Sequence, residues 1–398
     1  MNTAVRYEKH EQLLLFAVLG DSDVATRAWR EWQQIRALDD VDFGSQRLLP
    51  LLFRNLVKHG VDDPSLVRLK GVCRHTWSKN QVTLKAGASV LSSLAAEGID
   101  TMVLKGAALV MGGYLKSDER TMNDFDLLVR PEHLRASLAL LERLGWKPSD
   151  EGPQRQPTFL PNYVKFWHSH GFRDRGGRHL DLHWHVLHQC CYEAADDAFW
   201  GASLPLEWQG VSTRMLGPAD QLLHLCVHGM YGQQSEGVAV LRWVPDAIAV
   251  IRRHADAEGT GADVGVDWQR LVEQSRARRL IMPVRAALEF LADLPGTVVP
   301  NSVLLSLQSM TPDPLERREF LAQRGRTGPL GYVPILWLQY RRNCEATGGR
   351  ATFAGFLDFL QSLWGVERHE MPGVALGMGW QLFRRRFAAE PKHGRSTR

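Results

Sequence analysis

The sequence predicts an α+β protein whose strands are concentrated in one central segment between two helical regions. Two observations predict this fold class. Apolar residues recur at helical spacing before about residue 95 and again after about residue 215, whereas the segment between them alternates short strands with helices. We therefore expect an N-terminal helical region at residues 1–95, a core at 96–190, a C-terminal helical region at 191–388 and a disordered tail at 389–398.

The N-terminal region contains two apolar stripes. The first occupies residues 48–57 and stops before Gly60, and the second occupies residues 84–96 and stops before Gly98. Glycine commonly follows the last turn of a helix, because it adopts a left-handed backbone conformation without steric cost. Each stripe therefore predicts a helix that ends at its glycine.

The central segment alternates strands and helices before a hairpin. Its first four elements are predicted in the order strand (99–104), helix (107–115), strand (124–129) and helix (131–144). The second helix begins with a proline in its first turn and stops at a glycine. After a proline-rich loop at residues 147–162, two alternating runs at 163–172 and 179–186 flank a Gly-Gly turn and predict a β-hairpin.

The C-terminal region returns to helical periodicity. Gly217-Pro218 predicts the start of a helix, because proline fits the first helical turn. Residues 258–265 predict a flexible break, since they combine glycines with small and polar residues.

Composition limits the class of protein. With 398 residues, 44% of them hydrophobic, the chain can bury a large core, and it contains no apolar run long enough to span a bilayer. The net charge of +4 suits an anionic small ligand but is too small to predict nucleic-acid binding. Five scattered cysteines without a C-x-x-C pair, and an N-terminus without a cleavage site, predict a cytoplasmic protein with reduced thiols.

Residues 124–129 are the most informative segment. Side chains alternate along a strand, so Asp124 and Asp126 share one face while Phe125 lies on the other. Two carboxylates on one face of an apolar strand repel each other and lose hydration, and a hard divalent cation such as Mg²⁺ offsets both costs. The segment therefore predicts a metal site, and the alternative is a solvated edge strand with two outward aspartates.

A second strand, at residues 179–186, offers a third carboxylate. Asp181 shares a face of this strand with three histidines, whereas the opposite face is apolar: Leu180, Leu182 and Trp184. If the strand lies beside the acidic strand, Asp181 joins Asp124 and Asp126. Three carboxylates can hold two Mg²⁺ ions and align a hydroxyl for attack on a phosphoryl group. The alternative is a surface aspartate in a hairpin.

These residues resemble the nucleotidyltransferase superfamily, in particular its uncharacterised bacterial branch. The resemblance rests on the turn at residues 104–107, Arg120, the acidic strand and residues 180–184, and it covers about residues 10–385. It implies a small mixed sheet with helices, embedded between helical regions. It also implies that Asp124, Asp126 and Asp181 are the metal-binding catalytic carboxylates. In the same pattern, Gly106 lets a helix N-terminus approach the triphosphate.

The turn departs from the superfamily pattern, which usually has a second glycine or a serine where this chain has Ala107. The sixteen residues between Ala107 and Asp124 also exceed the usual gap. The backbone at Gly106 and Ala107 can still contact phosphate, and Lys105 and Arg120 are candidates for the missing positive contact. The alternative for both cations is an ordinary ion pair with the aspartates.

Other polar residues leave alternatives open. His183 is predicted to contact substrate or to orient Asp181. Two histidine groups raise the alternative of a zinc site, although no cysteine falls at a ligand spacing: His179, His183, His185 and His188, and His224 with His228. Arg242, Trp243 and Asp246 predict an interhelical ion pair, with an acceptor pocket as the alternative. Residues 384–386 predict a solvated basic helix end, with contact to nucleic acid or a membrane as the alternative.

The function predicted from these residues is metal-dependent transfer of a nucleoside monophosphate from an NTP to a hydroxyl or similar group, with release of pyrophosphate. The metal is Mg²⁺, or Mn²⁺ in its place, and the acceptor is a small molecule, a natural-product intermediate or a peptide. One alternative is a catalytically inactive binding protein with the same fold. The other is a toxin-type nucleotidyltransferase that acts on RNA or protein, which the modest net charge does not favour.

Overall fold

The computed structural model of this protein describes residues 7–149, 161–232, 240–255, 265–324, 332–364, 369 and 371. The predicted tail, the basic segment at 384–386, and most of the predicted break and proline-rich loop lie outside these residues.

Five helices form the N-terminal region: α1 (Lys9–Leu19), α2 (Ser22–Ile35), α3 (Phe43–Gln46), α4 (Leu49–Lys58) and α5 (Leu66–Ala96). The first predicted stripe is α4, and the second is the last part of α5, which is much longer than predicted at 31 residues. The Asp21 side chain caps α2 by accepting a hydrogen bond of 3.0 Å from the Val24 N–H.

One sheet forms the centre of the molecule. Its strands lie in the order β3-β4-β5-β2-β1-β7-β6, and the β2–β5 and β1–β7 pairs are parallel while the other pairs are antiparallel. The seven strands are β1 (Thr101–Val103), β2 (Asp124–Val129), β3 (Lys147–Pro148), β4 (Ser169–Arg173), β5 (His179–His183), β6 (Leu204–Trp208) and β7 (Val211–Met215). A mixed sheet among helices confirms the predicted α+β class.

Twelve further α-helices follow α5 in the part of the chain that the structure describes. Four lie between or beside the strands: α6 (Lys105–Met111), α7 (Leu134–Arg143), α8 (Pro161–Phe166) and α9 (Asp197–Gly201). Eight follow β7: α10 (Pro218–Gly232), α11 (Trp243–Ala255), α12 (Trp268–Ala277), α13 (Ile281–Ala292), α14 (Asn301–Ser309), α15 (Pro314–Arg324), α16 (Tyr332–Ala346) and α17 (Phe353–Trp364).

Two segments differ from the prediction. Residues 163–166, predicted as strand, belong to α8, where Tyr163 and Phe166 are both buried at a spacing that fits one helical face. Residues 204–215, predicted as part of a helical region, form β6 and β7. β7 pairs with β1, and the hydroxyls of Thr101 and Thr213 lie 2.8 Å apart. The sheet therefore extends beyond residue 190.

The acidic strand has different surroundings on its two faces. Phe125, Leu127 and Val129 are buried in one apolar cluster with residues of α5, including Leu84 and Leu91. Leu128, on the face of the aspartates, joins a second cluster with residues of α1, α4 and α10. α5 can approach β2 closely because it presents Gly87: a Cβ at that position would lie 2.3 Å from the Phe125 ring.

All five cysteines are free thiols, and four of them are buried. In the part of the chain that the structure describes, no helix has both the length and the apolarity that crossing a bilayer requires.

Candidate active site

Two parallel strands bring carboxylates together on one face of the sheet. β2 and β5 pair in a register that sets Asp124 opposite His179 and Asp126 opposite Asp181. Neighbouring strands lie about 5 Å apart, so opposed side chains on one face are within reach of a shared ligand. The sequence analysis assumed that the strand of Asp181 lies beside the acidic strand, and the structure shows this arrangement, with Asp126 next to Asp181.

Lys105 is the cationic partner of Asp126. It begins α6 with a φ of +46°, a left-handed conformation that costs a lysine roughly 1–3 kcal/mol and is typical of functional sites. Its Nζ lies 2.5 Å from Asp126 Oδ1. Burial acts to lower the pKa of Lys105, but the nearby carboxylates, Asp126 foremost, outweigh it and raise that pKa above its usual range. The pair is therefore an ammonium and a carboxylate at neutral pH.

His183 contacts the same carboxylate oxygen. Its Nε2 lies 3.1 Å from Asp126 Oδ1, the ring is fully buried, and Nδ1 has no hydrogen-bond partner among the described residues. Burial acts to raise the pKa of Asp126, but Lys105 and His183 outweigh it and hold that pKa well below its usual range. The sequence predicts that His183 orients Asp181 or contacts substrate, whereas its hydrogen bond goes to Asp126.

Asp126, Asp181 and His183 form a candidate cation site. One ligand atom from each lies within 4.8 Å of the other two, and no other group of this kind occurs among the described residues. Burial and the neighbouring Asp126 carboxylate raise the pKa of Asp181. The site thus carries more negative charge than Lys105 alone balances, which is the condition that favours a bound cation.

Asp124 lies outside that group but beside it. It lines an open cleft of about 330 Å³ together with Asp181, and this aspartate cleft is bounded by Asp124, Ser149, Trp167, His168, Ser169, His170, Gly171, His179 and Asp181. Of the three predicted carboxylates, the structure therefore brings two within range of one ion and places the third at the mouth of the same site.

Arg120 is a buried structural cation. Its guanidinium forms a bidentate ion pair with Asp246 of α11, with Nη2 2.8 Å from Oδ2 and Nε 3.0 Å from Oδ1, and both residues are almost fully buried. A Cβ at Gly106 would lie 1.8 Å from Arg120 Nη1, so Gly106 makes room for this guanidinium. The methyl group of Ala107 is buried in the apolar cluster of α5.

Two arginines near Asp124 lack carboxylate partners in the described structure. Arg242, half-buried, donates one hydrogen bond of 2.8 Å to the Thr121 carbonyl. Burial and the positive charge of Arg120 lower the pKa of Arg242 to about 9. Arg47 has only a cation–π contact, 4.4 Å from the Phe43 ring centre, and burial lowers its pKa while Asp124 raises it. No local sequence pattern marks Arg47 as a site residue. The sequence predicts Arg242 only as a member of an ion pair or of an acceptor pocket.

A second cavity adjoins Lys105 on the side of the C-terminal helices. We call it the histidine cavity. Its volume is about 310 Å³. Its lining comes from the start of α6, the residue before β4, the chain after β5, and α10, α15 and α16: Lys105, His168, Val186, Leu187, His188, Gln189, His224, Val227, His228, Tyr231, Glu319, Gln323, Ile335, Gln339 and Arg342. His168 lines both this cavity and the aspartate cleft, so the two spaces meet at that residue.

The histidine groups do not assemble a zinc site among the described residues. His185 Nδ1 lies 2.8 Å from Asp196 Oδ2 in a buried pair, away from the carboxylates of the site. His224 and His228 have ring centres 6.3 Å apart, and neither belongs to a group of metal-ligand atoms. The Asp246 cluster is an ion pair between α11 and the loop before β2, not between two helices.

The fold and the site define an α+β protein with aligned carboxylates, an imidazole and a lysine arranged around one potential cation position. Residues 44–296 match the model of a family described as uncharacterised nucleotidyltransferase, and the chain belongs to that family. The resemblance identified in the sequence is thereby confirmed.

Other comparisons add little. No curated protein matches the sequence. The crystal structure of an antigenic nucleotidyltransferase-like protein from Paracoccidioides brasiliensis is similar to this chain at 16% identity, covering 58% of this chain and 94% of that one, with a TM-score of 0.33. A similarity at that level carries no argument about the site.

Proposed function

We propose that this protein transfers a nucleoside monophosphate from an NTP to a hydroxyl of an acceptor and releases pyrophosphate. The observation that supports it most is the group of Asp126, Asp181 and His183 beside Lys105, in a chain of a nucleotidyltransferase family. Nucleotidyl transfer depends on positioned charge more than on covalent chemistry, and this site concentrates charge at one point of the sheet.

The donor set fits a hard divalent cation. Asp126, Asp181 and His183 offer two carboxylates and an imidazole within range of one ion. The raised pKa of Asp181 reflects negative charge that a metal cation, in addition to the Lys105 ammonium, would stabilise. Carboxylate oxygens are the preferred ligands of Mg²⁺, and an imidazole is also accepted by Mn²⁺. When bound, the metal would neutralise phosphate charge and lower the pKa of the acceptor hydroxyl. Asp124 would extend the donor set toward the aspartate cleft.

Each residue of the chain has a distinct role in this proposal. Lys105 keeps Asp126 ionised and fixes the position of its Oδ1. His183 Nε2 contacts the same oxygen and helps to hold it in place. Asp181 takes the proton of the attacking hydroxyl, as a carboxylate beside the bound acceptor. The new bond joins the acceptor oxygen to the α-phosphorus, and the bond to the pyrophosphate oxygen breaks.

The triphosphate needs positive charge that is not already paired. Lys105 is engaged with Asp126 and Arg120 with Asp246, whereas Arg242 and Arg47 are partly buried and have no carboxylate partner among the described residues. We assign the β- and γ-phosphates to Arg242 and Arg47, because a desolvated guanidinium is stabilised by a bidentate phosphate. The predicted contacts of Arg120, Gly106 and Ala107 with phosphate stay predictions, and α6, at seven residues, has a weak dipole.

The proposal is tested by Mn²⁺ binding followed by electron paramagnetic resonance, by calorimetry with Mg-ATP and the other Mg-NTPs, and by pyrophosphate release across an acceptor screen. Asp126→Asn combined with Asp181→Asn is expected to abolish Mn²⁺ binding and pyrophosphate release. Asp39→Asn, at an exposed ion pair with Arg68, is the matched control and is expected to change neither. Unaltered Mn²⁺ binding and turnover in the double variant would sink the mechanism.

The same measurements separate the two alternatives. An intact protein that binds no Mg-NTP is the result expected of a non-catalytic binding protein. A toxin-type enzyme would inhibit growth on expression, and the aspartate variants would relieve that inhibition. The described lining of the aspartate cleft contains no lysine or arginine, which does not favour an RNA substrate.

A further inference from the structure

The histidine cavity contains buried polar atoms that the protein leaves unsatisfied. His168 Nδ1, His224 Nδ1 and the Tyr231 hydroxyl are inaccessible to solvent and have no hydrogen-bond partner among the described residues. All three residues line the cavity, and His224 is only 3% exposed. Buried polar groups in folded proteins are nearly always hydrogen-bonded, so these lining residues are the ones expected to turn a polar atom toward an occupant.

Among the described residues, the lining contributes no unpaired charge. The Arg342 guanidinium is fully engaged, because it pairs with Glu319 and donates to the carbonyls of Arg278 and Arg279 at 2.9 and 3.0 Å. The Lys105 ammonium is paired with Asp126.

The imidazoles of the cavity add hydrogen-bonding groups without charge. Burial lowers the pKa of His188 to about 4 and that of His224 well below its usual value, so both rings are neutral at pH 7. A neutral imidazole offers one donor and one acceptor, and Gln339, whose Nε2 lies 2.7 Å from His188 Nε2, adds an amide. Most available groups are therefore neutral donors and acceptors, which suit hydroxyl groups better than carboxylates or phosphates.

Size and position give the cavity a role in the reaction. A volume of about 310 Å³ is at the small end of ligand pockets, which span about 300–1,000 Å³. Lys105 lies at one wall and touches Asp126, and His168 is shared with the cleft that contains Asp181. A molecule in the cavity can therefore extend one group toward the carboxylates.

We propose that the histidine cavity binds the acceptor, and that the acceptor is an uncharged, hydroxyl-rich molecule of about monosaccharide size. This inference rests on the proposed nucleotidyl transfer. One acceptor hydroxyl loses its proton to Asp181 and forms the bond to the α-phosphorus, while pyrophosphate leaves with the electrons of the broken bond. The remaining hydroxyls are held by the neutral groups of His224, Tyr231 and Gln339.

Saturation-transfer NMR on the full-length protein tests the site without requiring turnover. The probes are glucose, N-acetylglucosamine and myo-inositol, with gluconate and glucose 6-phosphate as charged counterparts. At least one uncharged probe is expected to bind in preference to the charged ones. His224→Leu and Gln339→Leu are each expected to weaken its binding about 5- to 10-fold, which corresponds to one lost neutral hydrogen bond.

The controls keep each outcome interpretable. Gln308→Leu makes the same glutamine-to-leucine change as Gln339→Leu, but at an exposed position of α14 outside the cavity lining. It is expected to leave probe binding unchanged. Gln339 is partly exposed, so its variant stands if His224→Leu fails to fold. Asp126→Asn is expected to abolish pyrophosphate release but not probe binding, which separates failure of the pocket from failure of the chemistry.

Three results would overturn the inference. The first is that no uncharged probe binds or that the charged probes bind better. The second is that probe binding survives both cavity variants. The third is competition between Mg-ATP and the bound probe, which would assign the cavity to the nucleoside of the NTP. If the probe binds as expected but the wild-type protein releases no pyrophosphate with any Mg-NTP, the proposed function fails and the cavity stands only as a binding site.

Discussion

Replacement of Gly87 by alanine tests how α5 supports the acidic strand. A Cβ at Gly87 would lie 2.3 Å from Cδ2 and Cε2 of Phe125 and 2.6 Å from Cγ, and the Phe125 ring is 1% exposed, so it has no space into which to move. Overpacking a buried site costs about 1–3 kcal/mol, and the full ring overlap favours the upper end. Alanine recovers about 1 kcal/mol of helix propensity. Gly87→Ala is therefore expected to lower the free energy of unfolding by about 2 kcal/mol.

Gly71, on the same helix, provides the matched control. Nothing lies within 4 Å of a Cβ at Gly71, so Gly71→Ala is expected to stabilise the protein by about 0.5–1 kcal/mol. Urea denaturation of both variants measures the difference. Phe125 stands between the two aspartates of β2, so Mn²⁺ affinity is expected to fall in Gly87→Ala and to stay unchanged in Gly71→Ala. If Gly87→Ala proved as stable as Gly71→Ala, the close contact between α5 and β2 would be refuted.

Three further predictions concern ionisable side chains at or near the site. Arg120→Met is expected to destabilise the fold by about 3–5 kcal/mol because it leaves Asp246 charged and buried, and adding Asp246→Leu should recover most of the loss in a denaturant double-mutant cycle. Arg242→Met is expected instead to weaken Mg-ATP binding about 10- to 100-fold with little loss of stability. If the two variants lost stability and Mg-ATP affinity to the same extent, the distinction between a structural Arg120 and a phosphate-binding Arg242 would be wrong. Burial lowers the pKa of His170 from 6.5 to about 4, so the folded state binds this proton less readily than the unfolded chain, and stability is expected to fall as the pH drops from about 6.5 to 4. His170→Gln should flatten that part of the pH profile of unfolding, while His75→Gln on the exposed side of α5 should not; identical profiles would exclude His170 as the cause.

Local patterns predict the parts of the site that lie on single strands. The bounds of β2 are confirmed at Asp124–Val129, because the segment opens on two aspartates around a phenylalanine, continues as an apolar run and stops before Pro131. The apolar face of β5 is likewise confirmed, with Leu180 and Leu182 buried. Alternation also placed Asp181 and His183 on one face, and that is the face that meets Asp126.

The rest depended on contacts between distant residues. Arg120 and Asp246 are 126 positions apart, and no local pattern shows that a helix after β7 supplies the carboxylate for this arginine. Residues 204–215 alternate around a Gln-Gly turn, but this short hairpin signal lies within the segment that we assigned to the C-terminal helical region. No local pattern shows that β7 pairs with β1. The role of Gly106 was placed at the triphosphate by resemblance, whereas its contact with Arg120 is visible only in three dimensions.

The pairing of β1 with β7 has a consequence for folding during synthesis, because the two strands are far apart in the sequence. Thr101 and Thr213 are 112 residues apart. Ribosomes add about 5–20 residues per second, so β1 is synthesised roughly 6–22 s before its partner strand. During that interval one edge of β1, the strand beside Asp124 and Asp126 of β2, stays open to other chains. A recombinant fragment that ends at residue 190 would keep that edge permanently, so expression of the core in isolation requires the chain through at least residue 215.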